Sequence, residues 1–464
     1  MDCSARLPLP RIAVLLVISA ACLTRAVALG HPCLCGTAAD DLVAARAGLD
    51  REWVVQVPFD SAAWRLDRVV VGKELVIAEA GDGTLAAISA RASGPGRGTV
   101  IWTRPGDGSR FPIETVGIGP EAVSVARGSD LTVINAVTGR TIWDRFLPSL
   151  ASTAAIPSAD WIYAPLTQGK IAKLAKQPAT ISIAAAVAEG KAKEARPDHL
   201  RSQVPEDRFE MITSSGSVEL PPIPYENGIL WCTNDGLLVA IVIHEDSSPR
   251  LEFDLGSPAS GPPVVRDRDV FVATRAGDVA RIARAPSGFR ATTGVGRDAD
   301  GNSVAYTGWH TIIDEVPEGG PIVGENVVVV SLGPSGLAAF QASTGDLLWK
   351  SPHSGRPLAI IDGRVWCLDT TGFLSARDLA SGRRVARLCL GCFTVPVIDP
   401  LGERLVLASP EGVVVSLAGR RTVAARLPVP QPPVPNPPSE PAATDDAPEE
   451  PTVDDDGDTP ANSL

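Results

Sequence analysis

Two cysteines separated by two residues, Cys389 and Cys392, form the local pattern in this sequence that most suggests chemistry. The pair is not a c-type haem attachment site, because Phe393 stands where that motif requires histidine. A redox dithiol usually begins a helix, where peptide dipoles lower the pKa of one thiol, whereas this pair precedes the strand-like run 394–398. The sequence therefore favours a structural disulfide that staples the loop. A thiol redox module is the alternative, and it requires an accessible thiol of low pKa in this pair.

Four further cysteines have other expected roles. Cys33 and Cys35 are also disulfide candidates, and with the first pair they could supply four thiolates to zinc if closure of the fold brings the chain ends together. Their spacing, with one residue between them, is unusual for a zinc site. Cys232 and Cys367 each follow a tryptophan at equivalent places in two repeats, which predicts buried thiols that pack as small apolar groups. The sequence leaves the disulfide pairing open.

Other motifs predict no catalytic, cofactor-binding or metal-binding residue. The segment 298–302, Asp-Ala-Asp-Gly-Asn, lacks the third acidic ligand and the closing glutamate of a calcium loop, so it predicts a glycine turn in a polar loop. The five histidines have no ligand spacing, and the sequence contains no G-x-S-x-G, H-E-x-x-H or phosphate-loop motif.

The elements that would hold these residues repeat eight times along the chain. Each repeat has an apolar strand, a short turn and a second apolar strand. The turn glycines, or the serine aligned with them, are Gly83, Ser129, Gly169, Gly236, Gly277, Gly336, Gly372 and Gly412. A period of about forty residues with several short strands indicates a β-propeller, whose sheets bury their faces against one another. We expect an all-β fold of eight four-stranded antiparallel blades, or of seven if the weak third repeat is not a blade.

The segments before and between the repeats predict a closing strand and two insertions. Residues 52–57, Glu-Trp-Val-Val-Gln-Val, form a single strand ahead of the first repeat. Such a strand is expected to join the last sheet, which closes the ring and covers an exposed strand edge. Two unusually long gaps predict insertions at 176–215 and 290–318. Loops on a rigid scaffold commonly carry function, so these insertions are the expected binding surface.

A longer motif runs through several repeats. Residues 133–143 read V-I-N-A-V-T-G-R-T-I-W and residues 339–349 read A-F-Q-A-S-T-G-D-L-L-W. Both are close to the form A-x-D-x-x-T-G-K-x-x-W. Residues 376–386 keep the turn but end in alanine, and residues 87–102 keep both ends around an enlarged turn.

This motif resembles the tryptophan-docking repeat of PQQ-like, or quinoprotein-type, β-propellers. The resemblance covers residues 52–427. It implies that a Thr-Gly or Ser-Gly turn joins the third strand of a blade to the outer strand, and that a tryptophan packs between adjacent blades. The expected docking residues are Trp102, Trp143 and Trp349, and the expected turn glycines of this motif are Gly139, Gly345 and Gly382. Gly83 is a further expected turn glycine, in the Asp-Gly hairpin of the first repeat.

The family includes PQQ-dependent alcohol dehydrogenases and non-catalytic propellers such as the outer-membrane assembly lipoprotein BamB. Its dehydrogenases carry two adjacent cysteines beside the quinone, calcium ligands and a catalytic aspartate. No two cysteines are adjacent in this chain, and no aspartate can be matched by motif. The resemblance therefore implies the non-catalytic, BamB-like branch, without bound PQQ. A PQQ-dependent quinoprotein dehydrogenase is the alternative.

The N-terminal segment is predicted to direct export. Two arginines precede an apolar run at 12–21, and Ala-Val-Ala at 26–28 fits a cleavage site, so residues 1–28 are expected to form a signal peptide. Cys22 follows the apolar run as in a relaxed lipobox, which would attach a lipid to it. Residues 29–51 then form a leader to the propeller.

The C-terminal segment 428–464 is proline-rich and contains nine acidic residues but no Lys or Arg. It lacks the apolar content for a core and is expected to be disordered. It holds most of the net charge of −12. The near-neutral remainder argues against nucleic acid, which needs a basic face. We expect an exported monomer, periplasmic or at the cell surface, that binds a protein or envelope polymer through its rim and inserted loops. It would contact the membrane only through a lipid on Cys22.

Overall fold

The computed structural model describes residues 41–90, 97–106, 116–176, 209–242, 250–284, 295–297, 303–352, 355–369, 372–395, 397–399 and 404–420. Several predicted features lie outside these residues. They are the signal peptide, Cys22, the leader as far as residue 40 with Cys33 and Cys35, the segment 298–302, most of the first insertion, part of the second, and the proline-rich acidic segment.

Antiparallel strands form eight blades, numbered here along the chain, and the strands of each blade are lettered A to D from the innermost outward. Blade 1 contains β2 Leu66–Val71, β3 Leu75–Ala80, β4 Leu85–Ser89 and β5 Val100–Arg104, and blade 2 contains β6 Val116–Ile118, β7 Ala122–Arg127, β8 Asp130–Asn135 and β9 Thr141–Phe146. Blade 3 contains β10 Ile156–Pro157, β11 Trp161–Leu166, β12 Lys170–Ala175 and β13 Phe209–Thr213. Blade 4 contains β14 Ile223–Tyr225, β15 Gly228–Cys232, β16 Leu237–Ile241 and β17 Arg250–Asp254. Blade 5 contains β18 Val264–Arg266, β19 Asp269–Ala273, β20 Asp278–Arg284 and β22 Ser303–Ile312. Blade 6 contains β23 Ile322–Val323, β24 Val327–Ser331, β25 Leu337–Gln341 and β26 Leu347–Ser351. Blade 7 contains β27 Arg356–Ile361, β28 Arg364–Leu368, β29 Phe373–Asp378 and β30 Arg384–Cys389.

The eighth blade joins the two ends of the propeller. Its strands are β31 (Leu405–Ala408), β32 (Val413–Gly419) and, outermost, β1 (Leu49–Gln56). β1 pairs with β32 along its whole length, and an isolated bridge between Val395 and Ala408 occupies the innermost position. The closing strand predicted at 52–57 therefore exists but begins at Leu49. The predicted leader ends inside it, after a short helix α1 (Asp41–Arg46).

The blade number is eight rather than seven. The weak third repeat forms a complete sheet of four strands, with Gly169 in its B–C turn. Innermost strands of successive blades contact one another around the ring. Gly72 of blade 1 also approaches Ile118 of blade 2, where a Cβ atom would lie 2.8 Å from the isoleucine side chain.

The apolar core lies between blades. Strands β3, β4, β15 and β24 are buried at every residue. A sheet with both faces covered needs continuous apolar runs rather than the alternation of a half-exposed sheet. Successive blades share these contacts, so the Val, Ile and Ala runs of the sequence become one layer between each pair of sheets.

Part of the second predicted insertion forms an added strand. β21 (Val295–Arg297) pairs with the first residues of β22 and also with β17 of blade 4 through Glu252 and Arg297. The outer strands of blades 4 and 5 are thereby joined into one nine-stranded sheet. The edge of β17 is covered by the protein's own chain, which removes a site of edge-to-edge association.

Candidate interaction face

The three predicted docking tryptophans bind the following blade through their indole nitrogens. Each donates a hydrogen bond to a backbone carbonyl: Trp102 to Ala136, Trp143 to Lys176 and Trp349 to Leu379, at 2.8, 2.9 and 2.9 Å. A shift in strand register precedes each tryptophan. Such a β-bulge re-aims the next side chain, and here it directs the indole toward the neighbouring sheet.

Two of the predicted glycines lie directly under these rings. Gly139 and Gly382 form the C–D turns beneath Trp102 and Trp349, and both have φ of +69°. A Cβ atom on either glycine would lie 2.6 Å from the indole. Glycine is therefore needed for the left-handed backbone and for the close approach of the ring.

Sequence reasoning missed two further docking tryptophans. Trp309 donates to the Ala342 carbonyl at 2.8 Å and packs over Gly345. Trp53 of β1 packs over Gly98 of blade 1 and so closes the ring. Their spacing to the next docking tryptophan, close to one repeat, is the signal that could have identified them. A β-bulge precedes Trp53 as well.

Blade junctions that lack a docking tryptophan use other contacts. Between blades 3 and 4, the Arg250 guanidinium donates to the Thr213 carbonyl and to the Ser215 hydroxyl, and it lies 5.7 Å from the centre of the Trp231 ring. Blades 4 and 5 are joined by β21. Beside blade 7, whose motif ends in Ala386, α1 packs its apolar side into the core shared with blade 8.

The predicted cysteine pair does not form a loop disulfide. Cys392 is a free, exposed thiol, whereas Cys389 is disulfide-bonded, so the two are not bonded to each other. This corrects the predicted staple of the loop. Partial burial raises the pKa of Cys392, and the nearby Glu411 carboxylate adds to the effect. A raised pKa is opposite to what the redox-module alternative requires of this thiol.

Cys232 and Cys367 lie in the B strands of blades 4 and 7 as free, buried thiols. Burial raises the pKa of each to about 12. They are therefore protonated at neutral pH and pack as small apolar groups.

Strand direction sorts the loops onto two faces. The four strands of a blade alternate in direction, so A–B and C–D turns lie at one end of the blade. B–C turns, including Gly83 with φ of +82°, lie at the other end with the connections between blades. Both insertions replace C–D turns: one separates Ala175 from Phe209 and the other separates Arg284 from Ser303. We call this end of the propeller the insertion face.

The insertion face carries an acidic residue in the A–B turn of each blade from 1 to 7. All seven side chains are exposed: Glu74, Glu121, Asp160, Glu226, Asp267, Glu325 and Asp362. Four have a left-handed backbone, at Glu121, Glu226, Asp267 and Asp362. That conformation costs a residue with a side chain about 1–2 kcal/mol relative to glycine. Exposed basic residues on the same turns are fewer: Lys73 and Arg268.

The chain is similar to solved structures in fold. Neither a protein-family model nor a curated protein sequence matches it. BamB from Moraxella catarrhalis aligns with a TM-score of 0.51 at 16% identity, over 79% of this chain and 98% of that protein. The computationally designed Ika8 protein aligns with a TM-score of 0.46 at 14% identity, over 76% of this chain and 96% of that protein. At 16% identity the likeness to BamB shows the propeller fold alone.

Within the described ranges, no three His, Cys, Asp or Glu side chains converge in a way that could hold a metal ion. The buried cysteines of blades 4 and 7 stand apart rather than side by side. Among the same residues, no helix is long and apolar enough to cross a membrane.

Proposed function

We propose that this protein is an exported, non-catalytic propeller of the PQQ-like repeat family, in its BamB-like branch. It binds a protein partner in the periplasm or at the cell surface through the insertion face. A lipid on Cys22 would hold it at the membrane. The observation that carries this proposal is the placement of both insertions on the face that bears the seven acidic turns.

The acidic A–B turns indicate the kind of partner. Complementary charges steer association and select partners, so the acidic turns favour a protein with a basic surface. The blades supply the rigid support that binding requires, because hydrogen-bonded tryptophans and close-packed glycines hold neighbouring sheets in register. Loops on such a scaffold can vary without disturbing the core.

Site-specific photocrosslinking tests which face is used. A photoreactive amino acid at Glu226, in the A–B turn of blade 4, is expected to capture the partner in cells that produce the protein naturally. The same amino acid at Asp235, in the B–C turn of that blade, is the matched control and should capture none. The captured product should be lost in the double variant Glu226→Lys, Asp267→Lys. Capture at Asp235 alone would contradict the proposal.

A cofactor titration tests the alternative. Purified mature protein is mixed with PQQ and calcium, followed by ultraviolet-visible spectroscopy and a dye-linked alcohol oxidation assay. We expect neither uptake nor turnover. Stoichiometric quinone uptake with turnover would replace the binding function with a dehydrogenase. Mass spectrometry of the mature N-terminus would show whether residues 1–28 are removed or Cys22 carries a lipid.

A further inference from the structure

Trp64 differs from the other tryptophans in its exposure. All nine tryptophans fall within the described ranges, and Trp64, with 47% of its surface exposed, is the one that is more than a third exposed. Its indole nitrogen has no hydrogen-bond partner there, whereas docking indoles such as that of Trp102 are bonded. Trp64 lies on the face opposite to the insertion face, in the connection from β1 to β2. The ring is therefore available to a ligand, and tryptophans with one apolar side and one hydrated side are enriched at binding surfaces.

The backbone that presents Trp64 is held on both sides. The Trp64 amide donates to the Asp60 carbonyl at 2.9 Å, and the Asp60 carboxylate accepts from the Ala62 amide at 3.1 Å. The Arg65 carbonyl accepts from the Gly81 amide at 2.9 Å. The Arg65 guanidinium lies 3.2 Å from the Glu411 carboxylate. The indole therefore projects from an ordered turn and is positioned before any ligand binds.

Gly81 brings a carboxylate next to this ring. A Cβ atom on Gly81 would lie 3.5 Å from Cε3 of Trp64 and 3.1 Å from Oδ2 of Asp67. The Trp64 ring and the Asp67 carboxylate therefore both lie next to the backbone of Gly81. Asp67 is exposed and belongs to β2, the innermost strand of blade 1.

Three further charged side chains, Arg68, Glu79 and Arg127, lie near Asp67. Arg68 Nη1 lies 3.7 Å from Oε2 of Glu79. Glu79 is 8% exposed, and its Oε2 atom accepts no hydrogen bond. Arg127 acts on the same carboxylate and donates to the Gly83 carbonyl at 3.3 Å. The set holds two carboxylates and two guanidinium groups, so it is electrically balanced. A balanced set favours neither an anion nor a cation.

We infer that Trp64, Asp67 and Arg68 form a carbohydrate-binding site on the face opposite to the insertions. A pyranose ring has an apolar face of C–H groups and a rim of hydroxyl groups. The exposed indole suits the apolar face, while the carboxylate accepts hydrogen bonds from hydroxyl groups and the guanidinium donates to them. The expected ligand is a neutral polysaccharide chain. This inference does not rest on the proposed function of the insertion face.

Binding of two defined sugars tests the inference. The probes are the hexasaccharides of β-1,4-linked glucose and of β-1,4-linked N-acetylglucosamine, added to the full mature chain. At least one should bind saturably by calorimetry and should protect tryptophan fluorescence from quenching by acrylamide. Trp64→Ala should weaken binding at least tenfold, Asp67→Asn should weaken it several-fold, and Trp64→Tyr should retain most of it.

Controls separate binding from folding and from the other face. Phe146→Ala removes another exposed aromatic side chain and should bind like the wild type. Trp64→Ala should lower the thermal midpoint modestly, because about half of the ring is buried, and Trp64→Tyr, which keeps an aromatic ring, separates this loss of packing from a loss of binding. Glu226→Lys should leave sugar binding unchanged. The inference is overturned if neither hexasaccharide binds, or if Trp64→Ala binds like the wild type.

Discussion

The indole of Trp349 in blade 6 lies on the backbone of Gly382 in blade 7, so closely that a Cβ atom there would come within 2.6 Å of the ring. The same indole donates to the Leu379 carbonyl at 2.9 Å. Gly382 also has φ of +69°, which glycine tolerates best. One residue therefore meets a conformational and a steric need at the same blade junction.

These two needs can be separated with a matched glycine. Gly363, in the A–B turn of blade 7, has φ of +73°, but a Cβ atom there would meet no other atom within 4 Å. Gly363→Ala should lower the free energy of unfolding by about 1–2 kcal/mol, the cost of the left-handed backbone. Gly382→Ala should lower it by about 1–3 kcal/mol more, because the methyl group meets the indole. Urea unfolding measures both, and equal losses would contradict tryptophan docking.

The indole hydrogen bond has its own control. Trp366 is buried, but its indole nitrogen has no hydrogen-bond partner. Trp349→Phe should cost about 1–2 kcal/mol more than Trp366→Phe in denaturant unfolding, because it leaves the Leu379 carbonyl unpaired. Both changes remove similar volume from a core. If Trp366→Phe were the costlier change, packing rather than hydrogen bonding would be the main contribution of the docked rings.

The docking turns could be predicted because their information is local. Glycine and tryptophan recur a few residues apart, so one motif specifies both the turn and the ring that packs between blades. The insertions could also be located from the sequence, because each one lengthens the gap between two successive repeats. The acidic turns could not be recognised as a set. They occur singly in turns of two or three residues, and only the ring of blades brings them to one face.

Long-range contacts are the other part that sequence reasoning missed. The two cysteines at 389 and 392 are neighbours in the chain, and proximity favoured a bond between them, yet only Cys389 is bonded. Arg250 belongs to no recognisable sequence motif, because the Thr213 carbonyl and the Ser215 hydroxyl that it bonds belong to a different blade. The strand β21 is short, and its pairing with β17 depends on how two blades approach each other. Such features depend on tertiary structure rather than on local pattern.

The Arg250 contact at the junction of blades 3 and 4 gives a third prediction. Arg250→Lys keeps the charge but loses the fork that reaches both Thr213 and Ser215. It should lower the free energy of unfolding by about 1–3 kcal/mol. Arg275→Lys is the control, since Arg275 is exposed and lies 3.9 Å from Glu219, and such surface pairs contribute about 0–1 kcal/mol. Similar effects from both changes would show that Arg250 does not substitute for a docking tryptophan.

The thiols give a fourth prediction. Iodoacetamide should modify Cys392 in the native protein, because it is exposed and free. Its raised pKa means that the thiolate fraction, and so the rate, keeps increasing to pH values above those of an ordinary cysteine. Cys232 and Cys367 should react only after denaturation. Peptide mass spectrometry after timed alkylation resolves the three sites. A rate for Cys392 that reaches its maximum near neutral pH would favour the redox-module alternative.

Glu79 gives a prediction for the dependence of stability on pH. Burial raises the pKa of Glu79, and the attraction of Arg68 only partly offsets this. The folded state therefore holds the proton more tightly than the unfolded chain. The resulting stabilisation is complete below the unfolded pKa, about 4.3 for glutamate, and is lost as pH rises through the folded value. Glu79→Gln imitates the protonated carboxyl at every pH, so its stability relative to the wild type should increase from pH 4 to pH 7.

Urea unfolding of both proteins across this range measures that difference. Glu74→Gln, which removes an exposed carboxylate from the same blade, controls for the change in net charge. Its own difference from the wild type is subtracted at each pH before the two variants are compared. A relative stability of Glu79→Gln that falls as pH rises would mean that the Arg68 attraction outweighs burial. Glu79 would then be an ordinary ion-pair partner in the folded protein.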